Sequence, residues 1–196
     1  MVEERYGKLA AANILTSIWI GDWERYHKIF EEVSDEAKEG LYFHRYYKGE
    51  DVQLWHDNHF SIPGEHFIPP YISSYSSGAD HEDSRRNDLL CLVGLYEKMQ
   101  FYYPLEINMY PDHFGCLTAF LGALLQEEIK AEEAGEKEYL EKLENMEEEF
   151  VQKYLKPVLP SLLKLTDLRV KHLFFREFLK FYEEFVELAG HTTAVR

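Results

Sequence analysis

Apolar side chains recur at helical spacing along nearly the whole chain, and this periodicity restricts the fold more than any other feature. Leu89, Leu92, Val93, Tyr96 and Met99, for example, fall on neighbouring faces of one predicted helix. Segments with this pattern lie at about 3–20, 22–33, 34–46, 84–101, 112–134 and 167–189. No segment of useful length alternates apolar and polar residues as a strand does, and no internal repeat is evident. The sequence therefore predicts an all-α fold, a helical bundle.

One long segment, at about 51–83, lacks this helical period. Three prolines and two glycines interrupt it, and serines cluster towards its end. It also contains the aromatic residues Trp55, Phe60, Phe67, Tyr71 and Tyr75, which favour a loop that packs against the protein. We therefore predict one long irregular loop here, with an ordered structure.

The length of 196 residues favours a single domain, because it is sufficient for one well-buried core and short for two. The last helical segment presents phenylalanines that we assign to the core, and Gly190 ends it. We predict one helical domain over residues 1–190 and a loose tail over residues 191–196. Between Glu127 and Glu149, eleven Glu and three Lys indicate a helix face that is mostly solvated.

The formal net charge of −15 argues against a nucleic-acid-binding protein, which needs Lys and Arg on one face, and favours a basic partner. The N-terminus lacks the features of a secretory signal, and no run of about eighteen apolar residues occurs. We therefore expect a cytoplasmic protein with no stable membrane insertion. Cys91 and Cys116 both lie in apolar helical patterns, which predicts neither a disulfide framework nor a zinc site.

A polar pair at the start of an apolar helix is the first candidate for a binding site. Asp112 can cap the helix that follows, and its remaining lone pairs, with the ring of His113, stay available to a cationic ligand. A second unusual segment, Phe67 to Tyr75, combines two prolines with aromatic side chains, and the prolines stiffen the loop. Together, the two segments predict the recognition of a peptide.

These residues, in this order, resemble the TorD/DmsD/NarJ family of cytoplasmic chaperones for molybdenum-containing oxidoreductases. The resemblance rests on the run from Pro69 to Tyr75, on Asp112-His113 before a long apolar helix, and on the C-terminal segments Tyr154–Pro160 and Lys171–Phe175. The corner motif of the family usually reads Glu-Pro-x-Asp-His. Residues 109–113 read Met-Tyr-Pro-Asp-His instead, so the glutamate is missing and the proline is displaced by one position.

The resemblance implies a non-enzymatic, all-helical chaperone without a cofactor. Such a protein binds the twin-arginine signal peptide of a catalytic subunit and assists its cofactor loading and oxidoreductase assembly before export. Two guanidinium groups followed by an apolar stretch require a carboxylate beside an apolar groove. We assign the carboxylate to Asp112 and the groove to Phe67, Tyr71 and Tyr75. The full set of predicted peptide-binding residues is Asp112, His113, Phe67, Pro69, Pro70, Tyr71, Ser74 and Tyr75.

Structural roles explain several of these residues equally well. Asp112 could serve only as a helix cap, and His113 could be a half-buried histidine bonded to the backbone. Pro69, Pro70 and Tyr71 could brace the loop against the core without direct contact with a ligand.

A helical metal-dependent hydrolase is the alternative from another functional class. Histidine and aspartate are suitable metal ligands, and several lie in the 51–83 segment, although their spacing matches no standard site. The residues that such an enzyme would use are His56, His59, His81, Asp83, Asp112 and His113. A purely structural subunit without peptide affinity is a third possibility. The sequence leaves open which oxidoreductase is the client, whether the protein is a monomer or a dimer, and whether it also binds a guanine nucleotide or the mature client.

Overall fold

The computed structural model describes residues 2–75, 81–102 and 109–190, with the side chains of the second range from residue 86 onward. The described residues form α-helices, short 3₁₀ and π turns and no strand, which confirms the predicted all-α fold. The α-helices are α1 Val2–Ile20, α2 Trp23–Glu32, α3 Asp35–Gly40, α4 Glu50–His56, α5 His81–Lys98, α6 Phe114–Ala134, α7 Lys137–Phe150, α8 Leu159–Arg169 and α9 Leu173–Ala189. The predicted loose tail, residues 191–196, lies outside the described ranges.

Local chemistry sets the first helix boundaries, as the sequence predicts. Gly21 ends α1 with a φ of +72°, a conformation that few side chains tolerate. The carboxylate of Asp22 then accepts the backbone N–H of Arg25 (2.9 Å) and caps α2. Ser34 caps α3 in the same way, but α3 ends at Gly40, and residues 42–46 form a 3₁₀ turn instead of continuing the predicted helix.

The segment at 51–83 contains more helix than the sequence predicted. Helix α4 covers its start, a π turn follows at Asp57–Ser61, and α5 already begins at His81. Val52, His56 and Phe60 are buried at intervals of four residues, which is a helical period that the neighbouring prolines obscured. Among the described residues, the irregular part runs only from 62 to 71, followed by a 3₁₀ turn at Ile72–Tyr75.

The core is built around Trp19, near the end of α1. Its indole ring stacks on Phe114 of α6, with 4.8 Å between the ring centroids. The rings of Phe60, Phe178 and Tyr182 surround it at 5.0 to 5.3 Å. The last two lie on α9, so the phenylalanine-rich helix belongs to the core, as predicted. Aromatic contacts therefore join the start, the middle and the end of the chain.

Helices α1 and α6 lie against each other along most of their length, and glycines of α6 make their close approach possible. A Cβ atom on Gly115 would lie 2.5 Å from Cγ2 of Ile20 and 3.3 Å from Cβ of Trp19. At Gly122 the corresponding distance to Cβ of Ala12 is 3.6 Å, an ordinary contact. The space at Gly115 is therefore needed for the packing of α1 onto α6.

Replacing Gly115 with alanine is expected to lower the free energy of unfolding by about 1–3 kcal/mol, because the methyl group overpacks the contact. Gly94 provides the control, since it is exposed within α5 and a Cβ atom there meets nothing within 4 Å. Gly94→Ala should be neutral or stabilise by up to about 1 kcal/mol. Urea unfolding of both variants measures the difference. Equal effects at the two positions would contradict the packing argument.

A buried charge cluster attaches the first turns of α1 to α6 and α7. The guanidinium group of Arg5 donates to Glu128 (Nε to Oε2, 3.1 Å), and also to Glu132 and Glu144. Glu128 and Glu147 are 1% and 5% exposed. Each has one buried oxygen, Oε1, without a hydrogen bond among the described residues. Two glutamates of the predicted solvated face are therefore interior residues.

Burial changes the ionisation of these two carboxyl groups. Burial, followed by the nearby Glu128 carboxylate, raises the pKa of Glu147 to about 8. Burial also raises the pKa of Glu128, although Arg5 opposes the shift. With a proton on Glu147, its hydroxyl can donate to the neighbouring Glu128 side chain, which relieves the repulsion between two buried carboxylates.

Candidate functional site

The two segments that the sequence singled out lie side by side and pair through their backbones. An isolated antiparallel bridge joins Tyr71 to His113. Its flanking hydrogen bonds run from Ile72 N to Asp112 O (3.1 Å) and from Phe114 N to Pro70 O (2.8 Å). The hydroxyl of Tyr96, on α5, donates to the carbonyl oxygen of Pro111 (2.9 Å). The proline-aromatic loop, the Asp112 corner and α5 are thus held together.

The carboxylate of Asp112 is held within this junction and does not cap α6. Only 3% of the residue is exposed, and its Oδ2 accepts the backbone N–H of Ser73 (3.1 Å). Its other oxygen, Oδ1, accepts no hydrogen bond from the described part of the chain. The carboxylate is therefore fixed in orientation and keeps lone pairs for another donor.

His113 caps α6 instead, which corrects the cap predicted at Asp112. Its Nδ1 accepts the backbone N–H of Gly115 (3.0 Å), so the proton of the neutral ring lies on Nε2. Burial, followed by the charge of His56, lowers the pKa of His113 to about 3. The ring is neutral at physiological pH and packs edge-on against Tyr71, at 5.1 Å. It therefore does not neutralise the negative charge of Asp112.

A cleft of about 170 Å³ opens beside Asp112. Its walls come from the Asp112 corner, from the 3₁₀ turn after the loop, from α5, from the π turn Val151–Leu155 and from the two residues just before α8. The lining residues are Ile72, Ser73, Asp88, Leu89, Leu92, Asp112, Lys153, Tyr154, Pro157 and Val158. Apart from the two aspartates, Lys153 and Ser73, these residues present apolar or aromatic surface. The arrangement places a buried carboxylate next to apolar walls.

The other predicted binding residues lie around this cleft without lining it. Pro69, Ser74 and Tyr75 line a second depression of about 300 Å³, formed with the face of α8 between Ser161 and Leu168. The hydroxyl of Tyr75 donates to the carbonyl oxygen of Pro69 (2.9 Å), which braces the loop. Pro70 is buried, and the carbonyl oxygen of Phe67 accepts from Arg169. Their part in ligand contact stays a prediction, whereas their bracing contacts are observed.

Three charged or aromatic residues that line the cleft are absent from the binding residues predicted from the sequence. Asp88 is an exposed residue of α5, and Lys153 and Tyr154 belong to the π turn after α7. The ammonium group of Lys153 lies 5.0 Å from the ring centroid of Tyr154. Tyr154 stands in a segment that carried the family resemblance, which was the available signal. Nothing in the sequence marks Asp88 as a binding residue, since it is only a polar residue next to Leu89 in a predicted helix.

His56, His59 and His66, in the 51–83 segment, each place a ring nitrogen within hydrogen-bond distance of a backbone carbonyl oxygen. Nδ1 of His59 lies 3.0 Å from the carbonyl oxygen of His66, and Nδ1 of His66 lies 3.1 Å from that of Arg169. Burial lowers the pKa of His59 to about 4. Within the described ranges, no three His, Cys, Asp or Glu side chains are placed to hold a metal ion. The side chains of His81 and Asp83, which the hydrolase alternative also needs, lie outside those ranges.

A larger apolar groove, of about 750 Å³, lies on a different part of the surface. It runs between α1, α2, α3 and α9 and contains none of the predicted binding residues. If volume alone decided, this groove would be the better candidate for the binding site. The chemistry favours the smaller cleft as the binding site, because its wall contains a buried carboxylate with one oxygen that accepts no hydrogen bond from the described residues.

These features define a class of protein: a helical bundle with a cleft beside a buried carboxylate. The model of one protein family, described as the nitrate reductase delta subunit, matches residues 46–163. The match covers more than half of the chain, which therefore belongs to this family of molybdoenzyme assembly chaperones. The predicted resemblance is confirmed. No curated protein and no solved structure matches the chain.

The family match includes every residue that lines the cleft at Asp112. The residues that line the larger groove fall between Tyr6 and Leu41, together with Phe181, and all of them lie outside the match. The part of the chain that defines the family thus contains the smaller cleft. Among the described helices, none is both long and apolar enough to cross a bilayer.

Proposed function

We propose that this chaperone binds the twin-arginine signal peptide of a molybdenum-containing oxidoreductase subunit in the cleft beside Asp112. In this proposal the bound peptide is held back from export while the cofactor is loaded and the enzyme is assembled. Peptide capture before export places this step in the cytoplasm. The observation that carries the proposal is the Asp112 carboxylate, which is buried, oriented by Ser73 and, within the described ranges, hydrogen-bonded through one oxygen only.

The chemistry of the cleft suits a guanidinium group followed by an apolar segment. A guanidinium group offers several N–H donors in one plane, and a carboxylate can accept two of them. Ser73 orients the carboxylate before any ligand arrives, so little ordering is needed on the side of the protein. Leu89, Leu92 and Val158 provide apolar surface close by for the residues that follow the arginines.

The affinity expected from this arrangement is moderate. A signal peptide that is disordered when free loses conformational entropy on binding, which offsets part of the contact energy. The net charge of −15 favours the approach of a basic peptide at low ionic strength. Moderate affinity suits a chaperone that must release its client.

Calorimetric titration with a synthetic twin-arginine signal peptide tests the proposal. The protein should bind the peptide saturably, and replacing both arginines with glutamine should weaken binding by about a hundredfold or more, since two charge-assisted contacts are lost. Asp112→Asn should weaken binding of the original peptide by about tenfold or more. The asparagine oxygen can still accept from Ser73, so the fold is preserved.

Glu36→Gln serves as the control. Glu36 is exposed on α3, and its replacement removes one negative charge, as Asp112→Asn does, but it should leave binding unchanged. Affinity that is absent, or indifferent to both arginines and to Asp112, would refute the proposal. A client subunit that co-purifies stably and is never released would favour the structural-subunit alternative instead.

A further inference from the structure

The cleft contains a second carboxylate, Asp88, in surroundings very different from those of Asp112. Asp88 projects from α5 and is exposed, and it makes no hydrogen bond or ion pair within the described structure. Asp112 lines the same cleft but is only 3% exposed, and Ser73 holds its carboxylate. Two carboxylates thus line one small cavity, one fixed in the interior and one free at the surface.

These surroundings impose different requirements on a cationic ligand. At Asp112, a ligand must give up its hydration, and the fixed carboxylate favours donors in a matching plane. Guanidinium meets both conditions better than ammonium, because it is planar and more weakly hydrated. At Asp88, water screens the charges and the side chain can adjust, so the interaction depends on charge alone. An ammonium group therefore binds beside Asp88 almost as well as a guanidinium group does.

Lys153 adds to the contrast between the two positions. Its ammonium group lies over Tyr154. The hydrogen bond to Tyr154 is the main cause that raises the pKa of Lys153, and the charge of Asp88 is a smaller one. Lys153 forms no ion pair within 4.0 Å among the described residues, so it leaves Asp88 available. With two carboxylates and one ammonium group, the cleft keeps a negative charge for an incoming cation.

We infer that the cleft distinguishes the two arginines of the signal peptide: Asp112 requires arginine, whereas Asp88 accepts either arginine or lysine. This inference rests on the proposed function and makes Asp88 a second specificity residue of the same site. The two peptide positions are therefore unequal, although both carry the same side chain.

Four peptides and four proteins test the inference by calorimetry. The peptides carry Arg-Arg, Arg-Lys, Lys-Arg or Gln-Gln at the twin-arginine position, and the proteins are the wild type, D88N, D112N and the control E36Q. With the wild type, one single-lysine peptide should lose about tenfold or more in affinity, whereas the other loses less than about threefold. Thermal unfolding of each variant confirms that it is folded.

The variants should then assign each peptide position to its aspartate. D112N should abolish the difference between the two single-lysine peptides, because the position that required arginine no longer contacts a carboxylate. D88N should keep that difference, weaken binding of the Arg-Arg peptide by about two- to fivefold, and reduce the dependence of binding on salt. E36Q should match the wild type.

The inference and the proposed function fail in different ways. Tight binding of the Arg-Arg peptide that depends on Asp112, with equal losses for both lysine peptides or no effect of D88N beyond that of E36Q, would overturn the inference alone. If the wild type binds the Arg-Arg and Gln-Gln peptides alike, the proposed function and the inference both fall.

Discussion

Replacing Arg5 with methionine is expected to lower the free energy of unfolding at pH 7 by about 3 kcal/mol or more. The guanidinium group is the only basic group that is hydrogen-bonded to Glu128 among the described residues, and the Glu128 side chain is 2% exposed. Without it, an interior carboxylate has no opposite charge beside it, and Glu132 and Glu144 add repulsion. Methionine keeps an apolar stem of similar length, so the variant mainly reports the lost charge.

Urea unfolding at pH 7 and at about pH 5 measures this effect and its cause. The loss should be smaller at the lower pH, because protonation of the glutamates relieves the uncompensated charge. Arg25→Met is the matched control: Arg25 is exposed and bonded to Asn13, so the change should cost less than about 1 kcal/mol. A second substitution, Glu128→Gln, should restore part of the stability lost in Arg5→Met. Equal effects of Arg5→Met and Arg25→Met would contradict the role of the cluster.

The ends of a helix were predictable from the sequence wherever they are set by residues that are close together in the chain. The caps at Asp22 and Ser34 were predicted correctly because the capping oxygen and the N–H that it accepts lie three residues apart. Helix α4 was missed because prolines and glycines lie close by, although none lies inside the helix. The cap of α6 was assigned one position too early, since Asp112 and His113 can both accept a backbone N–H.

The candidate site was predictable only in part, because its walls come from distant segments. The sequence singled out Asp112 and the loop at 67–75, and the structure places them side by side. It could not identify Asp88 or Lys153 as their neighbours, since exposed polar residues on a helix follow no distinctive pattern. The charge cluster could not be predicted either, because its members are far apart in the chain. Arg5 and Glu128 are separated by 123 positions, and nothing in the sequence distinguishes Glu128 from the ten other glutamates between Glu127 and Glu149.

Replacing Glu147 with glutamine is expected to raise the free energy of unfolding by about 2 kcal/mol at pH 8 and to reduce its dependence on pH. In the folded protein the pKa of Glu147 is raised from 4.5 to about 8, mainly by burial and then by Glu128. Between these values the unfolded chain has lost the proton while the folded protein keeps it. The contribution of Glu147 is therefore complete below about pH 4.5, decreases as the pH rises, and is lost above about pH 8.

Glutamine removes this titration, and its amide N–H can donate to Glu128 in place of the proton of the carboxyl group. Urea unfolding from pH 5 to pH 9 should give a decreasing free energy for the wild type and a flatter curve for Glu147→Gln, with the gap widest at pH 8 to 9. Glu149→Gln, an exposed change on the same helix, should follow the wild-type curve. If the two glutamine variants give the same curve, Glu147 does not hold a proton in the folded protein. Arg5→Met and Glu147→Gln thus change the free energy of unfolding in opposite directions, although both residues belong to one cluster. Arg5→Met removes the positive charge that balances an interior carboxylate. Glu147→Gln removes a carboxyl group whose ionisation in the interior destabilises the folded protein.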